Sequence, residues 1–205
     1  MTGALADPTL ELHHTDAQGH DSVVTTNDNW TQTQSAAIQA TGKAPPRASE
    51  AAILANLPPG NYTAILRGKN NTTGVALVEA YDLSPGATSQ LSNISSRGLV
   101  GTGNNVMIAG FIGGANTKVL VRALGPTLTR FGVPGVLADP VLTLTDANGT
   151  TIATNDNWQQ SAQASQIQAT GKAPPSAPEP AIIALRPSGN TTATVSGKNG
   201  ATGVA

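Results

Sequence analysis

The feature that most constrains this chain is an internal repeat with a period of about 129 residues. The segment 5–76 returns, with small insertions and deletions, as 137–205. The 205 residues hold one period and part of a second, so one fold must suit both copies. The motifs that carry the repeat are LADP at 5–8 and 137–140, TNDNW at 26–30 and 154–158, IQATGKAPP at 38–46 and 167–175, and GKN at 68–70 and 197–199.

Short alternating segments separated by turns predict β-strands throughout the period. Residues 141–145 alternate in hydropathy, and the Asp-Ala-Asn-Gly turn at 146–149 predicts a hairpin with 151–154. One short helix is predicted in each copy, at 161–170 and at 34–41. The other predicted strands are 51–57, 62–67, 75–83, 91–100, 105–112, 117–124, 180–185 and 191–196, with turns at 58–61 and 186–190.

This regular spacing predicts an all-β fold, an antiparallel β-sandwich of jelly-roll or immunoglobulin-like type with about eight strands per repeat. The repeat can be divided in two ways. We expect 1–83 to be a partial first repeat and 84–205 to be a second repeat that lacks its last strand. In the alternative phase, 1–133 closes as a permuted sandwich and 134–205 is a partial repeat.

The end of the second copy predicts a role in self-assembly. Ala205 aligns with Ala76, and the first copy continues from there into an alternating apolar run. An exposed sheet edge is a template for strand addition. We expect 191–205 to be the acceptor side for such a strand from a neighbouring repeat or chain, which would propagate head to tail into a filament. The predicted self-assembly strand comprises Leu77, Val78, Glu79, Ala80, Tyr81, Asp82 and Leu83.

Charge and composition disfavour several classes of partner. Eleven Lys and Arg against twelve Asp and Glu give a net charge of −1, which provides no attraction to nucleic acid or to an anionic membrane. No segment approaches the ~18 apolar residues of a membrane span, so membrane insertion is not expected. The sequence has no cysteine, which excludes disulfides and thiolate metal sites.

No constellation of catalytic residues is recognisable, and we expect no enzyme activity. There is no Gly-x-Ser-x-Gly elbow, and no histidine recurs in both copies to serve as a base. The glycine-rich segment 101–105 and the Gly-Lys pairs at 42–43 and 171–172 lack the rest of a phosphate-binding loop. We interpret all three as turns, and no cofactor is expected.

Calcium is the one metal that the residue types suggest. Asp146, Asn148 and Asp156 offer the oxygen ligands that Ca²⁺ accepts. They fall short of six to eight ligands, and we favour a role as turn residues that bond their own backbone. Three histidines close together in the sequence are interpreted as solvated loop residues: His13, His14 and His20.

Two tryptophans supply an alternative function. Trp30 and Trp158 occupy matching positions, and an exposed indole ring can stack on a sugar. The alternative is therefore a carbohydrate-binding or adhesion module with a polysaccharide partner. One tryptophan per sandwich is more often part of the core, so we favour a structural role for both.

The run 142–158 followed by 187–195 has a strand, Asp-x-Asn-Gly, strand, Asn-Asp-Asn pattern. This pattern resembles the bacterial pre-peptidase C-terminal (PPC) type of β-sandwich. With 101–108 and 119–126 included, the chain also resembles the tandem repeats of large secreted or surface proteins of bacteria. The resemblance implies an extracellular or cell-surface, non-catalytic module that is used in arrays as an anchor, spacer or adhesive element. Its expected partners are adjacent repeats or other copies of itself.

Overall fold

The computed structural model describes residues 3–84, 91–113, 117–185 and 189–205. The chain divides into two compact units, unit 1 (Met1–Asn93) and unit 2 (Ile94–Ala205). Both are built mainly from antiparallel strands with short helices, which confirms the predicted all-β class. Unit 1 contains the first copy of the repeat. Unit 2 contains the second copy together with the segment 94–134, which occurs once in the sequence.

Unit 1 is a three-stranded antiparallel sheet in the order β2-β1-β3. The β1–β2 hairpin turns at Asp16, whose Oδ1 accepts the backbone N–H groups of Gln18 (2.9 Å) and His20 (2.8 Å). The elements are β1 (Pro8–Thr15), β2 (Asp21–Asn27), α1 (Ser35–Ala40) and β3 (Asn61–Gly68), with 3-10 helices at Trp30–Gln32 and Lys69–Asn71.

Unit 2 has eight strands in its described part, the number predicted per repeat. Four form a sheet in the order β5-β10-β7-β8, and the pairs β11-β4 and β6-β9 form two smaller sheets. The strands are β4 (Leu99–Val100), β5 (Met107–Gly113), β6 (Lys118–Arg122), β7 (Pro140–Thr145), β8 (Thr151–Asn155), β9 (Ala181–Leu185), β10 (Gly189–Gly197) and β11 (Gly203–Val204). The helices are α2 (Ala164–Ala169) and 3-10 turns at Gly103–Asn105, Pro126–Phe131, Trp158–Gln160 and Lys198–Gly200.

The main core of unit 2 joins the four-stranded sheet to the two smaller sheets. Leu142 and Leu144 of β7 and Ala193 of β10 pack with Val100 of β4 and Ile182 of β9. Strands β7 and β10 bury alternate residues, as the two-residue period of a strand requires. Two layers that enclose one apolar core are the arrangement of a β-sandwich.

Strand β9 is buried on both faces, which explains why its sequence is apolar throughout. Ile182 faces the main core, whereas Ala181 and Ile183 belong to a second cluster. That cluster also contains Trp158 and Ile167, the latter from α2. The short helix predicted in each copy therefore covers one side of this strand.

The repeated Gly-Lys-Asn motif forms the same turn at the end of β3 and β10. A Cβ at Gly68 or Gly197 would lie 2.0 Å from a backbone carbonyl oxygen, so only glycine fits. Asn70 and Asn199 both have a φ of 55°, in the left-handed region that asparagine tolerates. The motif recurs because the turn geometry recurs.

The prediction of a strand at 51–57 is wrong, since this segment contains no strand. Its counterpart in unit 2 is β9, whose partner is β6. A β-strand needs a neighbour to satisfy its backbone groups. Among the described residues of unit 1 there is no counterpart of β6, because the matching segment of the repeat occurs once in the sequence.

Two other strand predictions are wrong in large part. Residues 75–83 contain only a bridge between Val75 and Ala4, and only Leu99–Val100 of the segment 91–100 is a strand. Alternating hydropathy shows that a segment can form a strand, whereas pairing depends on a partner elsewhere in the fold. The predicted turn at 186–190 lies largely outside the described residues.

Candidate functional site

The two copies share a sequence pattern but differ in burial, and this difference marks the candidate site. Ala193 in unit 2 is 3% exposed, whereas its counterpart Ala64 in unit 1 is exposed. Contacts that bury a residue in one copy are therefore missing in the other. The pairs that are buried in unit 2 and less buried in unit 1 include Leu5 and Leu137, Leu10 and Leu142, Leu12 and Leu144, Glu50 and Glu179, Ala64 and Ala193, and Ala76 and Ala205.

Strand β5 accounts for part of this difference. In unit 2, β10 lies between β7 and β5, and the β5 register runs from Gly189 opposite Gly113 to Val195 opposite Met107. The counterpart of β10 is β3, which pairs with β1 as its one partner among the described strands. The other edge of β3 is therefore open, and an open edge is a template for another strand.

Strand β6 accounts for a second part. It pairs with β9 from Lys118 opposite Leu185 to Arg122 opposite Ala181. In unit 1 the matching segment 52–56 is not a strand, and its apolar residues Ile53 and Leu54 are only half-buried. This face of unit 1 therefore has the sequence of a buried strand without the cover that buries it.

A buried carboxylate shows the same asymmetry. Glu179 is fully buried, and its Oε1 accepts the N–H groups of Gly125 (3.0 Å) and Thr127 (2.8 Å). Its Oε2 accepts the Thr127 hydroxyl (2.7 Å) and the Ser176 N–H (3.2 Å). The counterpart Glu50 accepts the Arg47 N–H (3.0 Å), and the part of the repeat that contains Gly125 and Thr127 occurs once in the sequence.

Local polar contacts, in contrast, are the same in both copies. Gln163 pairs with the backbone of Ile183 through both its amide nitrogen (2.7 Å) and its amide oxygen (3.0 Å). Gln34 makes the same two contacts with Leu54, at 3.0 and 3.3 Å. Each glutamine side chain donates to the carbonyl and accepts from the N–H of one residue, as the backbone of a neighbouring strand would. The sequence predictions overlooked them and the two glutamates, although their recurrence in both copies was a usable signal.

A repeated ion pair also survives in both copies. Lys198 Nζ lies 2.7 Å from Oδ2 of Asp156 and 3.6 Å from Oδ2 of Asp139. The hydrogen bond between Lys198 and Asp156 raises the pKa of Lys198 and lowers the pKa of Asp156. In unit 1, Lys69 contacts Asp28 in the same way, and this hydrogen bond raises the pKa of Lys69. Unit 1 thus keeps its local contacts and lacks those made by the segment 94–134.

The predicted self-assembly segment Leu77–Leu83 is exposed along its length and is not a strand. The Tyr81 hydroxyl donates to Glu79 (2.9 Å), and Lys43 Nζ lies 4.9 Å from the centre of the Tyr81 ring. The predicted acceptor side at 191–205 is wrong for 191–197. Those residues belong to β10, which has strands on both sides because it is central in its sheet.

The calcium candidates are used within their own turns and ion pair. Oδ1 of Asp146 accepts the N–H groups of Asn148 (2.9 Å) and Thr150 (2.8 Å). Asp156 lies against the ammonium group of Lys198, which a cation would have to displace. No group of three or more His, Cys, Asp or Glu side chains suited to a metal is present in the part of the chain that the structure describes.

The histidines do not form a common site, but one of them is not a solvated loop residue. His13 is buried on β1 (9% exposed), and its ring nitrogens contact Asp21 (2.6 Å) and Glu11 (3.3 Å). The hydrogen bonds to Asp21 and then to Glu11 raise the pKa of His13. His20 instead contacts Asp16 within the β1–β2 turn. The solvated-loop interpretation is therefore wrong for His13, because a strand places it between two carboxylates.

The two tryptophans occupy matching positions with different exposure. Trp158 is 6% exposed and packs with Ile167 and Ile183 in the second cluster of unit 2. Trp30 is half-buried, and its indole N–H donates to the carbonyl of Arg47 (3.0 Å). The Trp158 ring cannot stack on a sugar without opening this cluster.

A cavity of about 270 Å³ lies beside β6, lined by Val119, Leu120 and Ile183 together with Lys118 and Thr170.

None of the helices in the described residues has the length and apolar character of a membrane span. No protein-family model, no curated protein and no solved structure matches this chain.

Proposed function

We propose that this chain is a non-catalytic structural repeat module of an extracellular or cell-surface bacterial protein. It assembles with neighbouring repeats or with other chains by β-strand complementation, and the head-to-tail form of this assembly is a filament. The acceptor is unit 1, through the open edge of β3 and the uncovered segment 52–56. The donor is a segment equivalent to 94–124 of another repeat.

The observation that carries this proposal is the pair of matched copies with unequal burial. Ala193 and Ala64 have the same position in the repeat, yet only Ala193 is covered. Apolar side chains gain roughly 25 cal/mol for each Å² removed from water, so covering unit 1 is favourable. The extracellular or surface location is supported by the sequence resemblance alone.

A synthetic peptide tests whether the edge of β3 accepts a strand. The peptide spans residues 105–113, which include all of β5 (Met107–Gly113), with added terminal lysines for solubility. By analogy with the pairing of β5 and β10, we expect it to bind along β3 with Ala109 opposite Ala64. Amide hydrogen exchange of the full chain would show new protection in β3, and little change in β10, whose edge is already occupied.

The matched control is the same peptide with Met107→Lys and Phe111→Lys. Both side chains pack against the main core in unit 2, so charges at these positions prevent burial. The proposal predicts that only the native peptide protects β3. Equal protection by both peptides, or by neither, would contradict it.

A further inference from the structure

We propose that Asn148, at the tip of the β7–β8 hairpin, is a modification site at which the side-chain amide is converted spontaneously to a carboxylate. Asn148 is followed by Gly149. Glycine has no side chain beside its backbone nitrogen, so this nitrogen can approach the side-chain amide carbon of the preceding asparagine. The inference concerns unit 2 by itself and does not depend on assembly with another repeat or chain.

The reaction needs only water as a second reactant. The backbone nitrogen of Gly149 attacks Cγ of Asn148, a C–N bond forms, and the side-chain nitrogen leaves as ammonia with the proton of the Gly149 amide. The product is a cyclic succinimide. Water then opens the ring at one of its two carbonyl carbons, which leaves an aspartate or an isoaspartate at position 148.

The structure leaves the amide of Asn148 free to react. Residues 147–150 are exposed, and the Asn148 side chain has no hydrogen-bond partner in the described part of the chain. A Cβ placed on Gly149 would meet no atom within 4 Å, so the turn has room for the ring. The N–H of Gly149 donates to the carbonyl of Asp146 (3.1 Å), and this contact is lost when the ring closes.

The sequence has one other Asn-Gly pair, and the structure holds its backbone more firmly. Asn199 has a φ of 55° and a ψ of 30° in the Gly-Lys-Asn turn. This turn is packed closely on itself, since a Cβ on Gly197 would lie 2.0 Å from the carbonyl oxygen of Ala201. Ring closure requires the asparagine backbone to rotate, so we expect Asn199 to react more slowly than Asn148.

The first copy contains a matched turn without the asparagine. Oδ1 of Asp16 accepts the N–H groups of Gln18 and His20 at 2.9 and 2.8 Å, the same distances as in the Asp146 turn. Gln18 stands where the second copy has Asn148. A glutamine side chain is one methylene longer and closes the corresponding larger ring far more slowly. We therefore expect Gln18 to persist while Asn148 is modified.

Peptide mapping by mass spectrometry tests the order of reaction. The full chain is incubated at mildly alkaline pH and digested, and the fractions of aspartate and isoaspartate at 148 and at 199 are followed with time. We expect several-fold faster conversion at 148 than at 199 in the folded chain. In denaturant the packing of the second turn is lost, and we expect the two rates to converge.

Exchanging residues between the copies gives matched variants. Asn148→Gln should abolish modification at the hairpin tip and leave the rate at 199 unchanged, whereas Gln18→Asn should make the first turn reactive. The inference would be overturned by an unmodified Asn148, or by conversion at 199 that is as fast as at 148 in the folded chain. A Gln18→Asn chain that stays unmodified at 18 would also overturn it, because the two turns make the same contacts.

Discussion

At the scale of single residues, the glutamate that recurs in both copies differs in burial and in the number of hydrogen bonds that it accepts. Glu179 accepts four hydrogen bonds in a fully buried site, whereas Glu50 accepts one from Arg47. We expect Glu179→Gln to lower the free energy of unfolding of unit 2 by about 2 kcal/mol, because an amide N–H₂ cannot accept from two of these donors. The matched change Glu50→Gln should cost a small fraction of this.

Denaturant unfolding measures both changes. In a Trp30→Phe background the emission of Trp158 reports unit 2, and in a Trp158→Phe background the emission of Trp30 reports unit 1. If the two substitutions lowered the free energy of unfolding equally, this would contradict the view that unit 1 lacks the contacts made by the segment 94–134.

A second residue-scale prediction concerns pH and belongs to unit 1 alone. Hydrogen bonds to Asp21 and Glu11 raise the pKa of His13 above its ordinary value of 6.5. The charged ring therefore stabilises the fold below pH 6.5, and this contribution disappears as the pH rises through the raised pKa. Hydrogen bonds from His13 and then Arg67 lower the pKa of Glu11, so its own contribution is lost only in acid.

The test is the stability of unit 1 measured by Trp30 emission between about pH 5 and pH 9. We expect stability to fall across this range, and His13→Thr to flatten the dependence, since the second copy has Thr145 at this position. A His13→Thr chain with the same pH dependence as the native chain would show that other groups are responsible.

At the scale of elements, local sequence predicted the structure where partners are close in the chain. The hairpin of β7 and β8, the strands β3 and β10 and both short helices follow from alternation, turn residues and helix stops. The segment 51–57 shows the limit. It has the apolar sequence of β9, yet it is not a strand, because pairing needs a partner that hydropathy alone does not supply.

The same limit applies to the candidate site. The offset between the copies predicts the segment Leu77–Leu83 as a donor and 191–205 as its acceptor side, but 191–197 belong to β10, which is central in its sheet. A sequence period shows which residues correspond, whereas the order of strands in a sheet shows which edges are open. The glutamines at 34 and 163 are an intermediate case. Their recurrence can be seen in the sequence, but their hydrogen bonds to the backbone of Leu54 and Ile183 can be seen only in the structure.

At the scale of the whole molecule, unit 2 is sandwich-like with eight strands in its described part, whereas unit 1 contains a three-stranded sheet from the same repeat. Unit 1 offers an open edge at β3 among its described strands, and this edge is the proposed acceptor for a strand from another repeat or chain. This contact joins different surfaces of two copies, unit 1 of one copy and the segment 94–124 of the other. The purified chain should therefore associate with itself.

The most direct test of this central claim is the mass of the purified chain measured by light scattering across a dilution series. We expect species larger than the 20.6 kDa chain, with a mean mass that rises with protein concentration. A mass of 20.6 kDa at every concentration would contradict assembly by strand complementation.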